Sequence, residues 1–473
     1  SKKMSDLRKN PPKTIANEEV LKIVDYLESQ KTGLPKSNVL QFVTNKGTKV
    51  LLIAPLLTLS GYGEQGRLAL RSLLSCGDEF DVYIRALNWG QCGWLHEDNE
   101  ERKTIDSLLK KTIEFEHMHG QQAYDVSIQC TIPNEWNQLA PINIGYTAGI
   151  ETTRVSHQWL EKMPMMNRVI VVSNHSKNVF NSTAYERRDQ NTGQLVGELR
   201  NFTPIDVVNY PVKSFEPVES VLNMNLTTKF NFLTVAQAGP RKNVDSLIAS
   251  FVEEFHDDKD TGLVVKLFTR NNSVIDKEAT SISMQRLMRN WPDKKCKVYL
   301  LHGAMTDAEM NSLYNNKKIK GYVSLTHGEG FGLPLFEAAY NGLPVIAPAW
   351  SGHMDFLMAT APTRGKKKGA KPSKQTPHFL QVDYTLQPIP DEVVWDGVLI
   401  KESMWAVANL DNAKKKMRDL KDNHRKHKTT ATRLKKQIID NFTEEKVYGD
   451  FVESVRAAIG GNVSVPEDVQ VFG

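Results

Sequence analysis

The sequence predicts an α/β protein built from two successive doubly wound parallel sheets, and three observations carry that expectation. Short, nearly continuous apolar runs such as Lys49-Val-Leu-Leu-Ile-Ala-Pro55 and Gly321-Tyr-Val-Ser-Leu325 have the composition of strands buried on both faces. Helical periodicities alternate with these runs along the chain, and strand–helix repetition implies a parallel sheet. A unit of strand, glycine-containing loop and helix occurs at 49–73 and again at 230–255, so a second sheet begins near residue 230.

Composition sets the frame. At 473 residues and 40% hydrophobic, the chain is long enough for two or three domains of ordinary globular character. No run approaches the roughly eighteen apolar residues of a membrane span. The polar start, Ser1 to Lys13, lacks the apolar centre of a signal peptide, and a cytoplasmic protein is expected. Cys76, Cys92, Cys130 and Cys296 are far apart, with no Cys-x-x-Cys pair and no histidine at ligand spacing, which fits reduced thiols and no metal site. Charge is uneven: 364–374 carries +6, 414–436 carries +9, and the remainder −10 within a net +5. Such polarity bears on the partner that the protein meets.

In chain order, residues 1–15 read as an arm and 18–29 as a helix, neither with a chemical role. After the strand at 49–55, Gly61, Gly63 and Gly66 have the Gly-x-Gly-x-x-Gly spacing of a dinucleotide loop, followed by a helix through Leu73. The acids that should hold a ribose, Asp78 to Asp81, come at the start of the next strand and not at its end, so NAD is not implied. A strand at 80–86, a helix at 101–116 and a strand at 124–130 continue the alternation. His117 and His119 are read as helix-dipole partners before a catalytic pair. The strand at 142–147 is followed by Glu151, which is either a ligand-facing residue at a strand's carboxyl end or a helix N-terminal acid. A strand at 168–173, a polar hairpin or loop within 184–201 and a last strand near 206–212 complete the first domain, and 213–228 is read as a linker.

The second unit opens with Phe230-Asn-Phe-Leu-Thr-Val235 and the loop Ala236 to Asn243. Arg241 and Lys242 in this loop can neutralise a diphosphate, the guanidinium binding two oxygens and the ammonium acting as a point charge, or they can be a plain surface pair. Strands at 263–268, 297–301 and 321–325 follow, separated by helices at 281–289 and 306–314. The cluster Asp257-Asp258-Lys259-Asp260 is read as a solvated turn and not as metal ligands. An insertion at 360–376, a strand at 379–382, the basic helix at 414–436 and a final helix at 444–458 close the chain.

The densest stretch runs from Thr326 to Asp355. Gly328, Gly330 and Gly332 free the backbone before a helix expected to open at Pro334, so N–H groups and the helix dipole form an anion site. Glu329 and Glu337 flank it eight positions apart, and ionised carboxylates accept hydrogen bonds from sugar hydroxyls.

Glu329-x7-Glu337, inside Gly-Glu-Gly-Phe-Gly-Leu-Pro-x-x-Glu-Ala, resembles the signature of the retaining nucleotide-sugar glycosyltransferases of family four. Tyr146-Thr147, Glu151-Thr152, Trp159 and the strand from Arg168 to Ser173 are similar to the acceptor-side half of that family. The resemblance implies the GT-B fold: two Rossmann-like domains with parallel sheets facing a central cleft. It assigns 1–212 to the acceptor side, 213–440 to the donor side and 441–473 to a helix and tail crossing back. It also implies retaining transfer of a hexosyl or pentosyl group from a nucleoside-diphosphate sugar to a hydroxyl, with no cofactor and no metal.

By the same resemblance, Arg241, Lys242 and Glu329 are the catalytic candidates. Lys242 matches the family lysine, and Arg241 substitutes for an arginine usually six residues earlier, where this chain has Ala236. Glu329 would hold the donor sugar, Glu337 the ribose, and the backbone of Gly330, Phe331, Gly332 and Leu333 the diphosphate. Gly61 and Gly63 would face the cleft, and His302 would end the strand that meets the base. Relatives carry a histidine where this chain has Thr131-Ile-Pro-Asn-Glu-Trp136, so that role has no counterpart. Two other readings remain: a hydroxylated base in DNA as acceptor, and a GT-B-shaped binding protein without turnover. The DNA reading rests on Arg364, Lys366, Lys367, Lys368, Lys371 and Lys374 together with the run 414–436.

Overall fold

A computed structural model describes residues 47–90, 92–360 and 374–460. The expected arm and helix within 1–29, Arg364 to Lys371 and the tail after 460 lie outside the described residues. The first sheet holds β1 (Thr48–Ala54), β2 (Phe80–Ala86), β3 (Val126–Cys130), β4 (Ile142–Thr147), β5 (Arg168–Val171) and β6 (Ile205–Val207) in the order β2-β1-β3-β4-β5-β6. The second holds β7 (Phe230–Gln237), β8 (Thr261–Phe268), β9 (Lys297–Leu301), β10 (Ile319–Val323), β11 (Val345–Pro348) and β12 (Leu380–Val382), ordered β9-β8-β7-β10-β11-β12. Every pairing within both sheets is parallel. The order reverses between β1 and β3 in one sheet and between β7 and β10 in the other, and crevices open at such reversals beyond the carboxyl ends of the strands.

Helices cover both sheets. Those that bear on the site or on the docking of the halves are α1 (Gly61–Leu74), α2 (Glu100–His119), α3 (Asn174–Ser182), α4 (Val244–Phe255), α5 (Val274–Met288), α6 (Asp307–Tyr314), α7 (Leu333–Tyr340), α8 (Leu410–Asp422), α9 (His424–Asn441) and α10 (Glu444–Gly460). His117 and His119 fall in the last turn of α2, where a cation meets the helix dipole. Helix α5 starts seven residues before the expected 281, because the Ser273 side chain caps the N–H of Asp276 and carries the exposed Val274 and Ile275 into the first turn. The basic run is two helices, broken at Asn423. The polar stretch after α3 is an antiparallel hairpin of Ala184–Arg188 and Leu195–Arg200.

Several features join the halves, among them a helix and a hairpin segment. Helix α10 lies on α1, β4 and β5 of the first sheet, burying Val447, Phe451, Val452 and Val455. The Phe451 ring sits 5.2 Å from Tyr146, and Ser454 donates to Asp206 at 2.5 Å. Each such apolar side chain is worth about 2 kcal/mol in transfer alone. Conversely, the segment around the hairpin Tyr384–Pro388 and Met404–Ala408 reaches the first half. There the N–H of Thr153 donates to the Met404 carbonyl at 2.9 Å, Asn134 Nδ2 donates to the Gly397 carbonyl at 2.9 Å, and Val398 packs beside Trp136 and Trp159. Among the described residues, no helix is long and apolar enough to cross a membrane.

Candidate functional site

The carboxyl ends of both sheets meet at a cavity of about 510 Å³. On the second-domain side, β7 ends at Gln237 and a short turn, Pro240–Lys242, presents Arg241 and Lys242 before Asn243 takes a left-handed φ of 52° to start α4. Lys242 Nζ donates to Glu329 Oε1 at 2.7 Å, and Arg241 Nη1 to Glu329 Oε2 at 3.1 Å and to the Gly328 carbonyl at 2.7 Å. Burial alone would raise the Glu329 carboxyl, but the two cations overrule it and hold it down to about 2. Burial also lowers Lys242, more than Glu329 restores it. This is therefore a preformed, largely desolvated cluster of one anion and two cations.

The strand–loop–helix after β10 positions the rest. Gly332, with φ 92°, is the N-cap of α7 and Pro334 its second residue, so the helix opens one position before the expected Pro334. Gly330, Phe331, Gly332 and Leu333 line the cavity. Glu337 is the fifth residue of α7. Burial pushes its carboxyl up to about 7, against the opposing influence of the Tyr314 phenol on α6.

Packing gives the glycines a reason of its own. A Cβ on Gly328 would lie 2.0 Å from the Glu151 carbonyl oxygen, and one on Gly330 would lie 2.8 Å from that of Ala148. Both are small because the backbone after β4 presses against them; Gly332 alone is required by its φ. The motif loop thus joins the two halves as well as lining the cavity.

Across the cleft stand Gly61, Tyr62, Glu64, Trp89, Ala148, Glu151 and Lys213. Glu151, in the loop after β4, has Oε1 3.8 Å from Arg241 Nη2, so it is a cleft residue and not a helix cap. Glu64 is ion-paired with Lys213 at 2.5 Å and Arg71 at 3.0 Å. Its carboxyl, despite burial, is pulled down to about 2 by these cations. Sequence reasoning passed over Tyr62 and Glu64 because only the glycines of that loop were weighed, and over Lys213 because it lay in an aperiodic linker; Trp89 had no local signal.

The site gathers Arg241, Lys242, Glu329, Glu337, Gly330 to Leu333, Gly61 and Glu151. Gly63 is not among its lining residues: a Cβ there would strike the Thr58 carbonyl at 2.2 Å, so that glycine serves the first turn of α1. His302 is also outside the lining, its Nε2 held 2.8 Å from Asp276 Oδ2 on α5. Of the first basic run only Lys374 is described, as an exposed residue, while Arg364, Lys366, Lys367, Lys368 and Lys371 lie outside the described residues. The second run is partly neutralised on the flank of α4: Lys414 pairs with Glu253 at 2.5 Å, Arg418 with Glu254 at 2.7 Å, and Lys421 with Asp258.

Comparison with known proteins places this geometry. The architecture matches sucrose-phosphate synthase from Thermosynechococcus elongatus with a TM-score of 0.55 at 14% identity, covering 88% of this chain and all of that one. It matches Anabaena HepE, solved with UDP and glucose, with a TM-score of 0.53 at 12% identity, over 87% of this chain and all of the other. The fold is GT-B. In sequence, the serotype-specific mannosyltransferase WbdA of Escherichia coli is 30% identical over 117 residues, 24% of this chain and 13% of the length of that relative. No family model matches the chain.

Proposed function

We propose that this GT-B protein is a retaining glycosyltransferase that moves a sugar from a nucleoside-diphosphate sugar to a hydroxyl acceptor without a divalent metal. The observation that carries this reading is the set Arg241, Lys242 and Glu329 facing the start of α7, with Glu337 behind it, in one cavity between the two sheets. Departure of the donor's diphosphate concentrates negative charge on the leaving oxygen as the sugar becomes cation-like. Arg241, Lys242 and the N–H groups at the N-terminus of α7 supply positive charge for that oxygen from fixed positions. In this structure Glu329 bonds both cations. A bound diphosphate would take them over and leave Glu329 to accept from sugar hydroxyls, while Glu337 accepts from the ribose.

In this reading the acceptor oxygen bonds to the anomeric carbon on the face from which the diphosphate departs. The carbon–oxygen bond to phosphate breaks with its electron pair on the leaving oxygen, which takes the acceptor's proton. The anomeric configuration is thereby kept, and no side-chain base is needed. The UDP carried by HepE and the mannosyl activity named for WbdA support a nucleotide-linked hexose as donor class. The test is turnover with a panel of UDP- and GDP-hexoses, with and without EDTA, the product's anomeric configuration being read by NMR. Sugar release with retained configuration in EDTA is expected; nucleotide binding without any turnover would instead make the protein a binding module.

A further inference from the structure

We propose that the acceptor is a saccharide whose pyranose ring stacks on the indole of Trp89 while one of its hydroxyls is held by Glu151. The inference rests on the transfer reading above and names the acceptor class for the same cavity. The first-domain wall of that cavity is continuous. Trp89 follows the end of β2, half-buried, and leans on Tyr62 with ring centroids 4.4 Å apart and planes at 39°. The Tyr62 hydroxyl is fixed 2.8 Å from Thr147 Oγ1 at the end of β4. From there the chain runs through Ala148 to Glu151, opposite Arg241, and all of these except Thr147 line the cavity.

An indole, a phenol and a carboxylate therefore lie along one wall, facing the cations assigned to the diphosphate. A pyranose ring offers an apolar C–H face to an aromatic side chain and a rim of hydroxyl donors to a carboxylate. The same wall suits a phosphate backbone poorly. Its cations are engaged within the protein, Arg67 by the Leu56 and Thr58 carbonyls and Lys213 and Arg71 by Glu64, and are not offered to phosphates.

The experiment uses the full chain saturated with whichever of UDP or GDP raises its melting temperature. Methyl glycosides of mannose, glucose, galactose and N-acetylglucosamine are titrated against it by saturation-transfer NMR, with a single-stranded and a duplex DNA as competitors. At least one glycoside is expected to bind, with transfer strongest at its ring C–H protons. Trp89→Ala should weaken it about tenfold or more and Trp89→Phe should retain most of it, both with nucleotide affinity held within about twofold, and Glu151→Gln should weaken glycoside binding as well. A glycoside signal indifferent to Trp89→Ala overturns the proposal, as does DNA binding with no glycoside binding, or binding of neither. Failure of every nucleotide to bind brings down the underlying transfer reading instead, which the melting step reports before any acceptor is added.

Discussion

Glu329 and Glu337 are eight positions apart in one motif, yet their surroundings drive their protons in opposite directions. Two cations hold Glu329 down to about 2, whereas burial lifts Glu337 to about 7. If ionised Glu337 accepts from the ribose, nucleotide affinity falls as pH drops below about 7, by up to about tenfold per unit, and Glu337→Gln removes that dependence at a uniformly lower affinity. Calorimetry with UDP or GDP from about pH 6 to about pH 8 reads both curves. The stability signs are also opposite. A carboxyl raised from 4.5 to about 7 favours the fold when protonated and loses that contribution as pH rises through this interval, so Glu337→Gln should raise the melting temperature of the free protein at about pH 8. The depressed Glu329 stabilises above 4.5 and loses its contribution as pH falls towards about 2. Lys242→Ala should lower turnover about 100- to 1,000-fold by removing a charge that stabilises the leaving diphosphate, with steady-state kinetics as the measure. An unchanged kcat would remove Lys242 from the proposed mechanism.

At the scale of the element, the motif loop, the start of α7 and the backbone after β4 form one closely fitted piece. Its glycines differ sharply from Gly61. Gly328→Ala would force a methyl against the Glu151 carbonyl, whose oxygen lies 2.0 Å from the Cβ position, while a Cβ on Gly61 meets nothing within 4 Å. The expected outcome is a loss of about 2 kcal/mol or more for Gly328→Ala, and a change within about 0.5 kcal/mol for Gly61→Ala, measured by chemical denaturation. The strand–loop–helix was legible from Gly321 to Pro334, because apolar strand composition and helix-opening proline act locally. What the glycines avoid was not legible, because Ala148 and Glu151 are some 180 positions distant in the chain.

For the whole molecule, the two basic runs were the strongest sequence argument for a polyanion. In the α8 part of the second, Lys414, Arg418 and Lys421 pair with acids on α4 and in the turn after it, and Arg418 also lies 4.5 Å over the Phe255 ring. Replacing Lys414, Arg418 and Lys421 together with alanine should therefore cost about 1–3 kcal/mol of stability while leaving any duplex-DNA affinity and its salt slope unaltered. A fall of about three in that slope would return these residues to the solvent-facing role that the sequence suggested. The crossing-back of α10 was expected from the resemblance. Its apolar stripe of Val447, Phe451 and Val455 shows why: the stripe completes the cover of β4 and α1 in the other half.

By itself the sequence determined two parallel sheets, because period, apolar runs and glycine loops are properties of neighbouring residues. It also determined the Arg241–Lys242 and Glu329–Glu337 sets, because loop and motif kept each set within a few positions. Only the tertiary structure decided which of these meet. Lys242 reaches Glu329 across 87 positions, Glu151 comes to face Arg241, and Trp89, Tyr62 and Lys213 become cavity residues where strand ends of two sheets converge. His302 and Gly63 are turned to Asp276 and Thr58 by the same packing. Such pairings depend on strand order and on how the halves dock, and the alternation of polar and apolar residues along a chain does not encode these locally.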